Sequence, residues 1–242
     1  MNERCSVIII TLNEERNIKN LLSDLCLQTH KNFEVIVVDS DSTDGMIAVA
    51  SEFSGKLDLS VIAMSERGTS LGRNTGAKNA RFERLVFLDA DDRIKPDFLE
   101  KSLEALQKSG LWAAGGQIWG GENLMTRLGI GIFNLGMLVT QYFFPTCTGA
   151  CIFSTKTAHE HIGGFDTRIK LCEDCDYVNR ASKTFRFRML AVKFRFNARR
   201  LEQDGLFKMG ALYLRANIRR FFFGELLNDE IKYPFAHYRE KQ

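Results

Sequence analysis

Apolar and polar residues alternate in blocks along the first hundred positions. Val7-Ile8-Ile9-Ile10 and Val35-Ile36-Val37-Val38 are continuous β-branched runs, the pattern of parallel strands covered on both faces. The blocks predict strands over Ser6–Thr11, Glu34–Asp39, Leu59–Ala63 and Leu85–Asp89. Helices are expected between them, over Glu15–Gln28, Thr43–Phe53, Ser70–Ala80 and Pro96–Lys108. In the first of these, Ile18, Leu21, Leu22 and Leu25 recur at helical spacing. This β-α order predicts an α/β fold, a doubly wound, mostly parallel sheet flanked by helices, with ligands gathered beyond the carboxyl ends of the strands.

After residue 110 the rhythm changes. Trp112–Trp119 and residues 146–154 read as strands, and Leu128–Phe144 is strongly apolar. A Gly163-Gly164-Phe165-Asp166 turn follows, then a helix from about Glu173, a basic strand around Arg186–Phe196, and C-terminal helices. No stretch reads as a linker. The expected organisation is one domain over 1–205, with a first half over 1–110 and a second over 111–205, followed by a basic amphipathic helical extension over 206–242.

Three polar or acidic clusters fall at predicted strand ends: Thr11-Leu12-Asn13-Glu14, Asp39-Ser40-Asp41 and Asp89-Ala90-Asp91-Asp92. Carboxylates this close repel unless a cation or proton relieves them. Mg²⁺ and Mn²⁺ prefer oxygen ligands and leave coordination positions open for phosphates. The tetrapeptide therefore points to a metal–diphosphate site, against the alternative of a solvated acidic turn with Asp92 capping the helix near Pro96.

At 242 residues, 45% hydrophobic and 26% charged, with three prolines, the chain is long enough for a real core and unlike a disordered one. The apolar residues after Arg4 stop at Leu12, so no signal peptide and a cytoplasmic location are expected. The six cysteines are then expected to be free thiols. Cys147, Cys151, Cys172 and Cys175 have zinc-like spacings. However, the first pair reads as a turn entering a strand, and the second brackets Glu173-Asp174. Residues 183–242 hold 14 Lys/Arg against 6 Asp/Glu, within a net charge of +3 for the whole chain. Such a basic tail suits an anionic surface or a solvated helical face; no recognised nucleic-acid module occurs there.

With these residues in place, the chain resembles the nucleotide-sugar glycosyltransferases of family 2, with the GT-A fold. The resemblance covers about residues 5–205. It rests on Ser6–Glu15, Val37-Val38-Asp39-Ser40-Asp41-Ser42-Thr43-Asp44-Gly45, Gly72-Arg73-Asn74-Thr75-Gly76-Ala77, Leu88–Asp92, Gly163–Asp166 and Glu173-Asp174-Cys175-Asp176. It implies transfer of a sugar from a nucleoside diphosphate sugar, a uridine diphosphate sugar by family expectation, to an acceptor hydroxyl with inversion. Asp89 and Asp91 would form the Asp-X-Asp element holding Mn²⁺ or Mg²⁺, with Asp91 the direct ligand. Asp39 would meet the base or ribose, the alternative being a capping role for the Ser42-Thr43-Asp44 turn, and Arg73 would meet the nucleotide or its phosphates, the alternative being a surface ion pair. Thr11, Asn13, Glu14, Asp41, Asn74, Asp89 and Ala90 complete the implied donor site, with Arg200, or Arg199 beside it, reaching the diphosphate. Asp174, second in the acidic pair Glu173-Asp174, is the implied catalytic base.

The departures matter. Ile10 replaces a proline common after the first strand, Asp39-Ser40-Asp41 replaces an acidic pair, and no aromatic lies near Leu12. Arg199-Arg200-Leu201-Glu202 stands where processive synthases carry Gln-X-X-Arg-Trp, so a single addition is expected. A sugar nucleotidyltransferase would want a glycine-rich loop where Leu12-Asn13-Glu14-Glu15 stands. A non-catalytic scaffold would be expected to lose Asp91 or Asp174, and both are present. Leu128–Phe144, 17 residues, would be a helix of roughly 26 Å, short for a membrane span. Arg127, Asn134 and Gln141 form one polar stripe along it. In Leu206–Phe223, Lys208, Arg215 and Arg219 share one face, and Phe207, Leu214, Ile218 and Phe221 another. Both segments suit helices lying on a membrane surface, with a glycan or lipid-linked acceptor in cell-envelope synthesis; core packing or a homodimer contact is the competing expectation.

Overall fold

The computed structural model describes residues 3–121, 123–197 and 205–227. One seven-stranded sheet runs in the order β3-β2-β1-β4-β6-β5-β7. Its strands are β1 (Cys5–Thr11), β2 (Phe33–Asp39), β3 (Leu59–Ala63), β4 (Arg84–Asp89), β5 (Ala113–Trp119), β6 (Cys151–Thr155) and β7 (Phe187–Arg195). The first four are mutually parallel, β5 and β7 are parallel to each other, and β6 runs antiparallel between β4 and β5. The sheet is mixed and mostly parallel, as the sequence pattern expects, and it joins strands from both sides of residue 110.

The helices are α1 (Glu15–Cys26), α2 (Met46–Ser51), α3 (Thr69–Asn79), α4 (Phe98–Ser109), α5 (Leu124–Thr140), α6 (Lys156–His161), α7 (Glu173–Ser182) and α8 (Leu206–Phe223). Alternate residues of β1 feed two cores: Val7 and Ile9 pack beneath α1 and α4, and Ile8 packs on the other face with Phe87, Phe165 and Tyr177. A Cβ at Gly76 would lie 2.3 Å from Cγ2 of Ile8, and one at Gly72 would lie 3.1 Å from Cγ2 of Ile10. These two glycines let α3 press against β1 and carry Arg73 to the rim.

Three predicted ranges change for physical reasons. The helix expected over Thr43–Phe53 shrinks to α2, because Ser42, Thr43 and Asp44 are consumed in a turn; Asp44 Oδ1 accepts the Met46 N–H at 3.2 Å. The apolar helix starts earlier and ends earlier than Leu128–Phe144. Asn123 caps it, accepting the Thr126 N–H at 2.8 Å, and Pro145 follows its final turn. The strand expected over 146–154 begins only at Cys151, because residues 146–150 turn toward the site. Helix α6 was not anticipated.

The cysteines divide among clusters: Cys151 lies in one core, Cys147 in the other, and Cys172 and Cys175 beneath α8. All six are free.

His159 on α6 is buried and shares a 3.1 Å hydrogen bond with the Tyr177 hydroxyl, which donates to Ser154 at 2.8 Å. Burial, then the nearby Arg180, lowers its pKa to about 4. A pKa depressed by folding means that the stability is present above the unfolded value near 6.5 and is lost as pH falls toward 4. Relative to a His159→Asn variant, the wild type should lose up to about 3 kcal/mol between those limits, read from urea unfolding at a series of pH values.

Candidate active site

The rim of the sheet between β1, β2 and β4 is where strand order reverses, the usual place for a ligand crevice. Thr11, Asp39 and Asp89 end these three strands. The first loop is closed by its own polar groups. Asp39 Oδ1 accepts the Thr11 hydroxyl at 3.3 Å and the Ser42 hydroxyl, and Oδ2 accepts the Ser42 N–H at 3.1 Å. Asn13 accepts the Thr43 N–H at 2.8 Å, while its own N–H meets Ser42 Oγ. Asn13 and Asp41 both have positive φ, 55° and 63°, a conformation that Asn and Asp tolerate better than most residues. Asp39 and Thr11 are thus buried and engaged in shaping the loop; Asn13 and Asp41 are exposed and Glu14 is partly so.

Arg73 lies differently from the sequence expectation. It does not project toward an open nucleotide side: its side chain is 2% exposed. One guanidinium nitrogen donates to Glu173 Oε1 at 2.8 Å; the other donates to Asp89 Oδ1 at 3.1 Å and to the Gly149 carbonyl at 3.0 Å. The Phe165 ring covers it, 5.2 Å from the ring centroid. A Cβ at Gly149 would fall 2.6 Å from the guanidinium, so only glycine admits the contact. Asn74 also turns inward: its amide brackets the Phe165 backbone, with 2.8 Å bonds to both N–H and carbonyl. It anchors the Gly163–Asp166 turn that supports Arg73.

The acidic tetrapeptide separates by depth. Asp89 is 32% exposed, Asp91 is partly exposed and Ala90 is buried. Asp92 is fully buried and does not cap the next helix, whose N-cap is Asp97. Its Oδ2 accepts the Asp89 N–H at 3.1 Å, and its Oδ1 has no partner among the described residues. Burial, then Asp89 and Asp91, pushes its pKa well up. Among the described residues no three side chains converge to hold a metal. Asp89 and Asp91 still provide hard oxygen donors at the rim, suited to a Mg²⁺ or Mn²⁺ whose remaining ligands are phosphate oxygens and water.

Glu173 and Asp174 open α7 behind Cys172, whose φ is 65°. Asp174 Oδ1 accepts the Cys175 N–H at 2.7 Å. Burial raises the Asp174 pKa, while Arg73 and the hydrogen bond from the Cys175 N–H pull the other way. Glu173 is raised too, by burial and by Asp174. A carboxylate whose proton affinity is raised by burial, beside one tied up in an ion pair, has the chemistry a general base would need. Arg200, together with Arg199, lies outside the described residues.

The residues that the sequence reading missed are those meeting Arg73 from far along the chain: Gly149, Phe165, and Glu173 as its ion partner. Gly149 beside Thr148 and Ala150 carries no motif signal. Replacing Arg73 by Met would strand two carboxylates, one nearly buried, and should cost about 3 kcal/mol. Urea unfolding at pH 8 and pH 5 checks this, with the smaller loss at pH 5, where protonation of Glu173, whose pKa is raised to about 7 by burial and by Asp174, relieves the more buried carboxylate. Arg73→Lys should recover only part, because one ammonium cannot span three acceptors in fixed directions.

The sequence and fold both have relatives. Over 102 residues the chain is 32% identical to glycosyltransferase GlyA of Streptococcus pneumoniae, covering 41% of this chain and 14% of GlyA. The chain spans well under half the length of the curated relatives it matches. S. aureus TarS 1–349, solved in complex with UDP-GlcNAc, superposes with a TM-score of 0.66 at 22% identity, over 80% of this chain and 58% of that one. The mannosyltransferase PcManGT from Pyrobaculum calidifontis, solved with GDP-Man and Mn²⁺, gives 0.72 at 22% identity, over 89% and 65%. The sheet and its flanking helices are therefore those of the GT-A fold. The model of glycosyl transferase family 2 matches residues 6–163, more than half of the sequence. With its strand-end carboxylates and the acidic pair opening α7, this chain belongs to glycosyl transferase family 2.

Proposed function

We propose that the protein transfers a sugar from a nucleoside diphosphate sugar to an acceptor hydroxyl, once per encounter and with inversion at the anomeric carbon. The observation that carries this reading is the Arg73 cluster: one buried guanidinium ties Asp89, at the diphosphate side, to Glu173, beside the base. Residues 1–110 act as the donor half and 111–205 as the acceptor half. Asp174 takes the acceptor proton while the hydroxyl oxygen attacks the anomeric carbon from the face opposite the diphosphate. The bond to the diphosphate breaks, and its electron pair leaves with the diphosphate. A Mg²⁺ or Mn²⁺ held by Asp89 and Asp91 would supply charge neutralisation to the departing diphosphate.

Both fold neighbours are named with nucleoside diphosphate sugars, one uridine-based and one guanosine-based with Mn²⁺, which supports the donor class. Uridine diphosphate sugar is the donor of choice in this reading. The acceptor is a glycan or lipid-linked glycan of the cell envelope, and the protein is peripheral on the cytoplasmic face of a membrane. In support, no helix among the described residues is long and apolar enough to cross one, while α5 and α8 expose large apolar side chains.

A thermal-shift panel of uridine, guanosine and thymidine diphosphates, with and without Mn²⁺, tests the donor class; binding raises the melting temperature by mass action. Asp91→Asn should abolish the Mn²⁺-dependent shift while the unliganded melting temperature stays put. An undiminished shift removes Asp91 from the site. Asp174→Asn should keep the nucleotide shift and lose transfer by at least ~10²-fold, measured with donor and acceptor at saturation. Near-wild-type transfer in that variant moves the base to Glu173 or Asp176.

A further inference from the structure

Helices α5 and α8 each bury a narrow face, Thr126, Ile130 and Met137 on α5 and Met209, Ala216 and Arg220 on α8, and leave many large apolar side chains outward. On α5, Asn134 faces β5, its amide bonding the N–H and carbonyl of Ile118 at 3.0 and 2.7 Å. The β5–β6 ladder pairs only Ala114 and Gly115, so Asn134 satisfies backbone groups that the neighbouring strand leaves open. Gln141 accepts the Met189 N–H of β7 at 2.8 Å. Of the three members of the expected polar stripe, Asn134 and Gln141 are used inside the protein, and Arg127 stays exposed, donating to the Gly121 carbonyl at 3.0 Å. The opposite face exposes Leu128, Ile132, Leu135 and Val139, with Ile132 at 72%.

Helix α8 repeats the arrangement. Met209, Ala216 and Arg220 face inward; Ala216 packs with Cys172 and Cys175, which flank the acidic pair. Arg220 pairs with Glu225 at 2.5 Å and lies over the Phe144 ring. Outward stand Phe207, Leu214, Ile218, Phe222 and Phe223, with Phe207 at 81%. The segment that follows α5 meets α8 through rings: Phe144 meets Phe221 edge-on at 5.2 Å, and within α8 Phe221 meets Phe222 at 5.0 Å. The exposed apolar faces are thus joined by an aromatic seam. An apolar surface of this extent on a globular domain marks an interaction site.

Charge selects the occupant. Residues 124–144 and 206–223 contain no acidic residue, while Arg127, Lys208, Arg215 and Arg219 border the apolar positions. A second copy docked face to face would set these cations against each other with no acidic partner on either helix. An anionic lipid surface satisfies both features, taking the aromatic and aliphatic side chains into its interface and the cations at its headgroups.

We infer that α5 and α8 form one docking face for an anionic lipid bilayer, and that docking holds the Glu173–Asp174 end of the site at headgroup level for an acceptor embedded there. The inference rests on the glycosyl-transfer reading only for the role of Asp174. It deepens that reading by naming the acceptor class as an amphiphile whose hydroxyl lies at the bilayer surface.

The test is co-sedimentation of the full chain with vesicles of phosphatidylcholine alone and of equal parts phosphatidylcholine and phosphatidylglycerol. The protein should pellet with the anionic vesicles and less with the neutral ones. Raising salt should weaken the association without abolishing it, because apolar insertion is not screened. This wild-type comparison needs no variant to fold. Lys208→Gln with Arg215→Gln should weaken binding roughly 5-fold per charge removed, and Ile132→Ser with Phe222→Ser should remove the salt-resistant part. Wild-type protein that stays in the supernatant with both vesicles overturns the inference. So does a dimer in light scattering that the Ile132→Ser, Phe222→Ser variant converts to monomer, which assigns the face to a second copy. The nucleotide thermal shift on the same proteins separates the two readings: vesicle binding without any nucleotide response defeats the transfer chemistry and leaves the docking face standing.

Discussion

A guanidinium buried to 2% exposure is the constraint around which this site is built. Arg cannot shed its proton, so its burial demands counter-charges and acceptors in fixed directions. Asp89 at the end of β4, the Gly149 carbonyl before β6 and Glu173 at the start of α7 supply them. Three segments far apart in the chain must therefore converge on one side chain of α3. The glycines of α3 and Gly149 provide the close approach, and Phe165 closes the remaining side.

The same convergence sets the electrostatics. Among the described residues, Arg73 faces Asp89, Glu173 and Asp174, Arg220 acts on Asp174 from α8, and Asp91 and Asp92 stand close behind on the β4 side. Negative charge is in excess, and the site relieves it in two ways. Burial raises the proton affinity of Asp92, Glu173 and Asp174, while Asp89 and Asp91 remain accessible to a divalent cation. Buried and accessible carboxylates are thereby separated by depth within one cluster.

Helices α5 and α8 extend the logic to the surface. Surface helices hide an apolar stripe; α5 hides Ile130 and Met137 but places Asn134 between them against β5, and a second apolar stripe is left pointing out. Asn134 and Gln141 meet unpaired backbone of β5 and β7. The apolar residues are left on the outside, next to the helix that carries the acidic pair.

Periodicity along the chain determined most of the fold. The β-branched runs of β1 and β2 could be satisfied only by a sheet covered on both faces, and the polar clusters at strand ends marked the rim before any contact was known. The acidic pair at Glu173-Asp174 was legible as the start of a helix. What the chain could not disclose was direction. Whether Arg73 reaches out to phosphate or in to carboxylates, whether Asp92 caps a helix or holds the Asp89 backbone, and whether the α5 stripe faces water or sheet depend on partners up to a hundred residues away. Local sequence sets the period with which side chains leave the backbone, because that is a property of neighbouring residues. The partner each side chain meets is decided only when distant segments pack, because a buried charge or amide takes whichever acceptors the tertiary fold brings within reach.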